Sequence, residues 1–319
     1  MVPSPYRDAR SACHRAHDPA SPYMTMTEAR SRDRAMLITN PAAGSRHAKP
    51  GDLEQCEDIL ENAGFVLDRV ETGAESPTSA DLAGRAIEEG YQACIVAGGD
   101  GTVALAAARL LDGPVVLGIL PFGSVMNIAH GLGLPLGPVE AAQVIARRRV
   151  ARADAAEVSG KVFFETAGIG LDAEMFGATR HAERGDWRRA MRRAWRWVTH
   201  GSVRIAIDVD GREYRHLALQ VLVMNSPYYG WSLLLLPQVT MSDGLLDVVV
   251  FPRTGRWSLM RSFITVWRGG TLPTRPVVYR GSRIRITSDE PVAVHADGAF
   301  AGGLPAEFVC RKGALAVFA

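Results

Sequence analysis

The sequence predicts two unlike halves: an α/β half with a parallel sheet, then a mainly antiparallel β half. Three observations predict it. Up to residue 148, short runs that are apolar throughout alternate with helix-compatible runs, as strands covered on both faces do. Beyond that point strands follow one another without helices between them. Finally, loops at Asn40, Gly98 and Pro121 fall at the C-terminal ends of the apolar runs, the edge where parallel sheets bind ligands. With 319 residues the chain also exceeds the roughly 250–300 that one core supports.

Taken in order, residues 1 to 33 are polar and proline-bearing and are expected to form a disordered tail, with Met24, Met26 or Met36 as alternative starts. The α/β half spans 34–150. It begins with a strand at Met36 to Thr39, a helix from Pro50 to Ala63 and a strand from Phe65 to Val70. A helix from Ser79 to Glu89, a strand at 92–97, a helix at 103–111, a strand at Val115 to Leu120 and a helix at 138–148 complete it. The β half spans 151–304, with strands expected at Lys161 to Thr166, Val203 to Val209, Tyr214 to Met224, Leu246 to Phe251, Arg283 to Thr287 and Pro291 to His295. Asp210-Gly211 is a hairpin turn. A last strand near 305–319 can return to the first half.

Thr179 to His200 interrupts the β half as a helical run with seven arginines and Trp187, Trp195 and Trp197 among them. It reads either as a solvated basic helix anchored by its tryptophans or as an interfacial helix on an anionic membrane. The net charge of +2 gives no reason to expect nucleic acid. No apolar run reaches the length of a spanning helix. The four cysteines show no metal-ligand spacing and suit a reducing compartment. The expected location is therefore cytoplasmic, with peripheral membrane contact, and a homodimer is compatible with the sequence.

The chemistry concentrates in Cys94-Ile95-Val96-Ala97-Gly98-Gly99-Asp100-Gly101-Thr102. A strand runs into a glycine-rich turn and then a helix, whose unpaired N–H groups and positive dipole end suit phosphate. Glycine allows the positive φ angles of a tight turn and a close backbone approach. Asp100 among such amides points to a cation to be held or a proton to be taken.

With Gly98 to Thr102, Asn40-Pro41-Ala42-Ala43-Gly44 and Leu120-Pro121-Phe122-Gly123-Ser124-Val125-Met126-Asn127 in that order, the chain resembles the diacylglycerol kinase catalytic-domain family over residues 35 to 319. The match is to its bacterial soluble lipid kinase branch, related to sphingosine and ceramide kinases and distantly to NAD kinases. The resemblance implies a Rossmann-like, NAD-kinase-like first domain, an antiparallel β-sandwich second domain and an active site between them. It implies ATP and Mg²⁺ as cofactors and a lipid as acceptor. Asn40, Pro41, Gly44, Gly98, Gly99, Gly101, Thr102, Gly123, Ser124 and Asn127 would hold the nucleotide. Ser124 replaces the family's threonine and keeps its hydroxyl, and Asn127 stands where many members carry Asp. Asp154 would help organise magnesium. In Ser242-Asp243-Gly244-Leu245-Leu246-Asp247, Asp243 with the carbonyls of Thr240 and Leu245 would bind a structural magnesium.

One departure bears on the reaction. Where the family's Asp-Gly-Glu places its general base, this chain has Asp297-Gly298-Ala299. Three outcomes follow: Asp100 is the base, a neighbour such as Asp297 or His295 replaces it, or the protein binds nucleotide and lipid with little turnover. The expected function is ATP-dependent phosphorylation of a lipid hydroxyl, diacylglycerol-like or sphingoid-like. The alternatives are a membrane-surface sensor and a soluble-substrate kinase of the NAD kinase type.

Overall fold

The computed structural model describes residues 24–25, 33–43, 48–73, 77–170, 202–230, 232–252, 265 and 276–319. Gly44, the segment from Thr179 to His200 and most of the expected tail lie outside them. The first half contains β1 (Met24–Thr25), β2 (Asp33–Thr39), α1 (Asp52–Asn62), β3 (Phe65–Glu71), α2 (Ser79–Glu88), β4 (Ala93–Gly98), α3 (Asp100–Leu110), β5 (Val116–Pro121), α4 (Asn127–Gly131) and α5 (Pro138–Ala146). There follow β6 (Arg149–Val158), β7 (Lys161–Phe163), β8 (Thr166–Gly170), β9 (Val203–Val209), β10 (Arg212–Met224), β11 (Tyr228–Tyr229), β12 (Leu233–Leu234) and β13 (Leu246–Pro252). The chain closes with β14 (Val277–Gly281), β15 (Arg283–Ser288), β16 (Ala293–Ala296), β17 (Ala299–Gly303) and β18 (Ala306–Phe318).

In the first half β3, β2, β4 and β5 lie side by side and parallel. All six residues of β4 and of β5 are buried. The period-2 alternation of strand side chains sorts them onto two faces. Met36, Ile38, Cys94 and Val96 pack under α2 and α3, while Leu37, Ile95, Val116 and Leu120 meet Cys56 and Leu60 of α1 and Ile145 of α5. Buried aliphatic side chains contribute about 1.5–3 kcal/mol each, so two apolar faces explain why this half needs helices on both sides. A capping box between Thr78 and Asp81 starts α2.

The second half is antiparallel around β10, which pairs with β8, β9 and β13. Asp210 and Gly211 join β9 to β10 with φ of 48° and 86°, the two positive values that a tight hairpin turn demands. One continuous sheet path links the halves through β18, which lies parallel to β5 and antiparallel to β6 and β15.

Several expectations are corrected. Met24–Thr25 and Asp33, within the expected tail, pair with β6 and β3. Asp33 is also ion-paired to Arg148, so a start at Met36 would cut into β2. The helix expected from 103 begins at Asp100, which leaves Gly98 at the end of β4, makes Gly99 the N-cap and puts Asp100, Gly101 and Thr102 in its first turn. The strand expected over Lys161 to Thr166 is broken at Phe164 and Glu165, because the Asp297 carboxylate accepts the N–H groups of residues 164, 165 and 166. β6, with its small alanines, and the five-residue α4 carry too little apolar patterning to be read in advance.

Candidate active site

Three loops converge at the C-terminal ends of β2, β4 and β5. They line an open cleft of about 240 Å³ with Asn40, Ala43, Gly99, Asp100, Gly101, Thr102, Gly123, Ser124 and Val125. Asn40 is fixed from both sides: its side-chain N–H donates to Thr102 Oγ1 (2.9 Å) and its Oδ1 accepts from Ala42 N (3.0 Å). That leaves the Thr102 hydroxyl proton free to donate outward. Pro41 is exposed in the turn and does not line the cleft.

The glycines are needed for contact rather than for turn angles. None of Gly98, Gly99, Gly101 or Gly123 has positive φ, which corrects the sequence expectation. A Cβ on Gly123 would stand 2.5 Å from Gly99 Cα and 2.7 Å from Met126 Sδ, and one on Gly98 would stand 2.9 Å from Thr102 Cβ. Backbone therefore touches backbone here, which brings two loops of N–H groups to one wall. The positive φ falls on Met126 instead (59°), where the chain turns into α4. A left-handed non-glycine residue costs about 1–3 kcal/mol, and such strain clusters at functional sites.

Asp100 is directed at the start of α4, where its Oδ1 accepts from Ile128 N (3.0 Å). Burial raises its carboxyl above the ordinary range, and the backbone amides of residues 126–128 oppose that rise. Asp100 thus clamps the third loop to the second.

Near Asp100 stand two further acids. Asp297, expected as a catalytic group, has its carboxylate on backbone. It accepts from Phe164 N (2.7 Å), Glu165 N (3.0 Å) and Thr166 N (3.1 Å). Burial pushes its carboxyl up to about 6 against those three amides. Its geometry is that of a positioning group, because both oxygens are spent on the 164–166 turn. Glu165, unforeseen in the sequence, takes the central place. Burial raises its carboxyl well above the usual range, and the charges of Asp297 and Asp100 push the same way. Its Oε2 accepts from Asn127 Nδ2 (2.7 Å). Asn127, expected on the nucleotide, is 2% exposed and gives its other N–H to the Gly230 carbonyl (2.6 Å), so it faces the second half. The signal for Glu165 was a lone charge inside Val162-Phe163-Phe164-Glu165-Thr166-Ala167.

Asn225 joins this site to the region expected to hold magnesium. Its side chain donates to the carbonyls of Asp154 (3.2 Å) and Phe164 (2.9 Å), and its N–H donates to the Glu165 carbonyl (2.9 Å). Asp154 is 1% exposed, and its two oxygens accept from Gly244 N (2.6 Å) and Gly313 N (2.7 Å). Asp243 is ion-paired to Arg280 and accepts from Leu245 N (3.0 Å). The same guanidinium reaches Asp247 Oδ1 (3.1 Å). Asp243, expected with the carbonyls of Thr240 and Leu245 to bind a structural magnesium, thus already has a cation partner, and both oxygens of Asp154, expected to help organise the active-site magnesium, are on loop amides. Arg280 already supplies the positive charge between Asp243 and Asp247, and Asp154 is a buried anchor for two loops. Among the described residues no cluster of three or more His, Cys, Asp or Glu could hold a metal, and no helix is long and apolar enough to cross a membrane.

Two family models match the chain. Residues 34–158 match the diacylglycerol kinase catalytic domain, and residues 167–319 match the YegS C-terminal NAD kinase beta sandwich-like domain. A diacylglycerol kinase of Bacillus subtilis is 26% identical over 287 residues, covering 86% of this chain and 93% of its own. One of Mycobacterium tuberculosis is 28% identical over 301 residues, covering 88% and 93%. The crystal structure of a diacylglycerol kinase from Bacillus anthracis superposes with a TM-score of 0.72 at 22% identity, covering 91% of this chain and 98% of that one. At that identity the likeness establishes the two-domain fold.

Proposed function

The chain belongs to the diacylglycerol kinase catalytic-domain family, and from that premise we propose that it transfers the γ-phosphate of ATP to a hydroxyl of a lipid. The observation that carries this reading is the meeting of two surfaces. Main chain and hydroxyls at Gly99, Thr102, Gly123 and Ser124 line a cleft together with the buried acid Asp100, and Asp100 lies close to a second buried acid, Glu165. Phosphoryl transfer needs phosphates held in line and an acceptor hydroxyl oriented against them, with little covalent work by the protein. The amide wall suits the phosphates. The acid side suits a neutral hydroxyl that must lose a proton. Magnesium carried in with ATP supplies charge neutralisation at the phosphates. A diacylglycerol-like acceptor heads the proposal because the relatives that cover most of this chain carry that name. By composition, arginine and tryptophan within residues 179–200 suit docking on an anionic bilayer, where such an acceptor resides.

The test is transfer of labelled γ-phosphate from Mg²⁺-ATP to diacylglycerol, sphingosine and ceramide in mixed vesicles, with NAD as a soluble control. Labelled phosphatidic acid is the expected product. Saturable ATP binding without a labelled lipid would overturn the reading in favour of a sensor, and labelled NADP would overturn it in favour of a soluble-substrate kinase.

A further inference from the structure

The proposed reaction needs a group to take the acceptor's proton, and position 299, where the resemblance would place one, is an exposed alanine. Asp100 accepts the Ile128 amide of α4 on Oδ1, and both oxygens of Asp297 accept amides of the 164–166 turn. His295 is buried inside β16, its ring edge-on to Phe300 at 5.8 Å.

Glu165 differs from these. No backbone amide among the described residues holds its carboxylate, and Asn127 engages only Oε2. Among the described residues Oε1 has no hydrogen-bond partner. The backbone beneath it is fixed at both ends: its N–H is on Asp297 (3.0 Å), and its carbonyl accepts from Asn225 N (2.9 Å) and Ser226 N (3.1 Å). Such a side chain can act on a ligand from a rigid platform. Its place is also between the two halves, since Asn127 belongs to the loop that Asp100 clamps.

A second departure agrees with the first. Position 127, Asp in many members of the family, is Asn here. An aspartate there would bring a second carboxylate to within 2.7 Å of Glu165, whereas the amide donates to it. The asparagine at 127 and the alanine at 299 are thus both accounted for by one carboxylate at 165.

We propose that Glu165 is the general base of this chain, an inference that rests on the lipid kinase reading. The acceptor's O–H bond breaks and its proton passes to Oε1 of Glu165. The oxygen's electron pair forms the bond to the γ-phosphorus. The bond from that phosphorus to the β,γ-bridging oxygen breaks, and its electron pair leaves on ADP. Water then takes the proton from Glu165. A carboxyl raised by burial and by the facing charges of Asp100 and Asp297 has the basicity that proton transfer near neutrality requires.

The test is Glu165→Gln, which keeps an acceptor oxygen for Asn127. The expected result is a fall in kcat of about 10²–10⁴-fold, the usual worth of a positioned base. The acid limb of the wild-type kcat profile should disappear, while ATP affinity and melting temperature hold. A kcat close to wild type, or a loss of kcat matched by loss of ATP binding, overturns the assignment and leaves the kinase reading standing if wild type labels lipid. A wild type that labels no lipid overturns both.

Discussion

The two walls of the cleft are built by opposite means. The nucleotide wall is main chain: glycines at 98, 99 and 123 strip away side chains until loops touch at backbone distance. The acceptor wall is buried charge: Glu165 and Asp297 are held by amides drawn from two separate segments, Asn127 and residues 164–166. A wall of backbone can be disrupted only by adding atoms. A wall of charge can be disrupted by removing a single one with its shape intact.

The largest effect should follow from adding atoms. Gly123→Val places a side chain on Gly99 Cα and Met126 Sδ, and overpacking of this kind costs about 1–3 kcal/mol. Calorimetric titration should show ATP binding lost, with the parallel sheet retained by circular dichroism. Tight ATP binding by this variant would mean that the two loops need not touch.

An intermediate effect is expected from Asp297→Asn, which conserves shape. An amide cannot accept at both positions, so part of the 164–166 backbone loses its partner, at a cost of about 1–3 kcal/mol. There is a pH signature as well. The Asp297 carboxyl rises from an ordinary 3.8 to about 6 on folding, so the folded state binds the proton more tightly. Its contribution to stability is therefore fully present below about pH 4 and is lost as pH rises through about 6. Melting temperatures should show that this decline is shallower in Asp297→Asn. Equal slopes would remove Asp297 from the titrating set.

The smallest effect concerns metal. With Arg280 between Asp243 and Asp247, EDTA should leave the melting temperature of nucleotide-free protein unchanged. Arg280→Ala removes a partly exposed pair with Asp243, worth up to about 1 kcal/mol, also leaves the buried Asp247 without its cation, and should make stability respond to added Mg²⁺. Destabilisation of the wild type by EDTA would restore magnesium to that loop.

The contrast between the walls also explains what could be read in advance. Backbone sites are written in contiguous residues: Asn40, Gly98 to Thr102 and Gly123-Ser124 each fall at a strand end, and the strands announce themselves by apolar runs. The acceptor wall joins residues 127, 165, 225 and 297: the β16–β8–β10 pairing brings the last three together, and Asn127 reaches them from α4. Glu165 looked like the interior of a strand because nothing nearby in sequence reveals that Asp297 will capture its amide. Asp243 was read from its motif, but its cation comes from Arg280 on β14, whose register with β13 sets Arg280 opposite Asp247.

The returning strand β18 has a consequence for how the chain is made. It joins residue 317 to residue 117, so β5 lacks one neighbour until residues 306–318 have been synthesised. At about 5–20 residues per second, that edge of the nucleotide domain stays open for on the order of ten seconds or more on the ribosome. An unpaired edge is a template for wrong pairing, and contacts this distant in sequence close slowly. Chaperone dependence in the cell should therefore track the availability of this one strand, and a peptide covering residues 306–318 should speed recovery of a chain truncated before it.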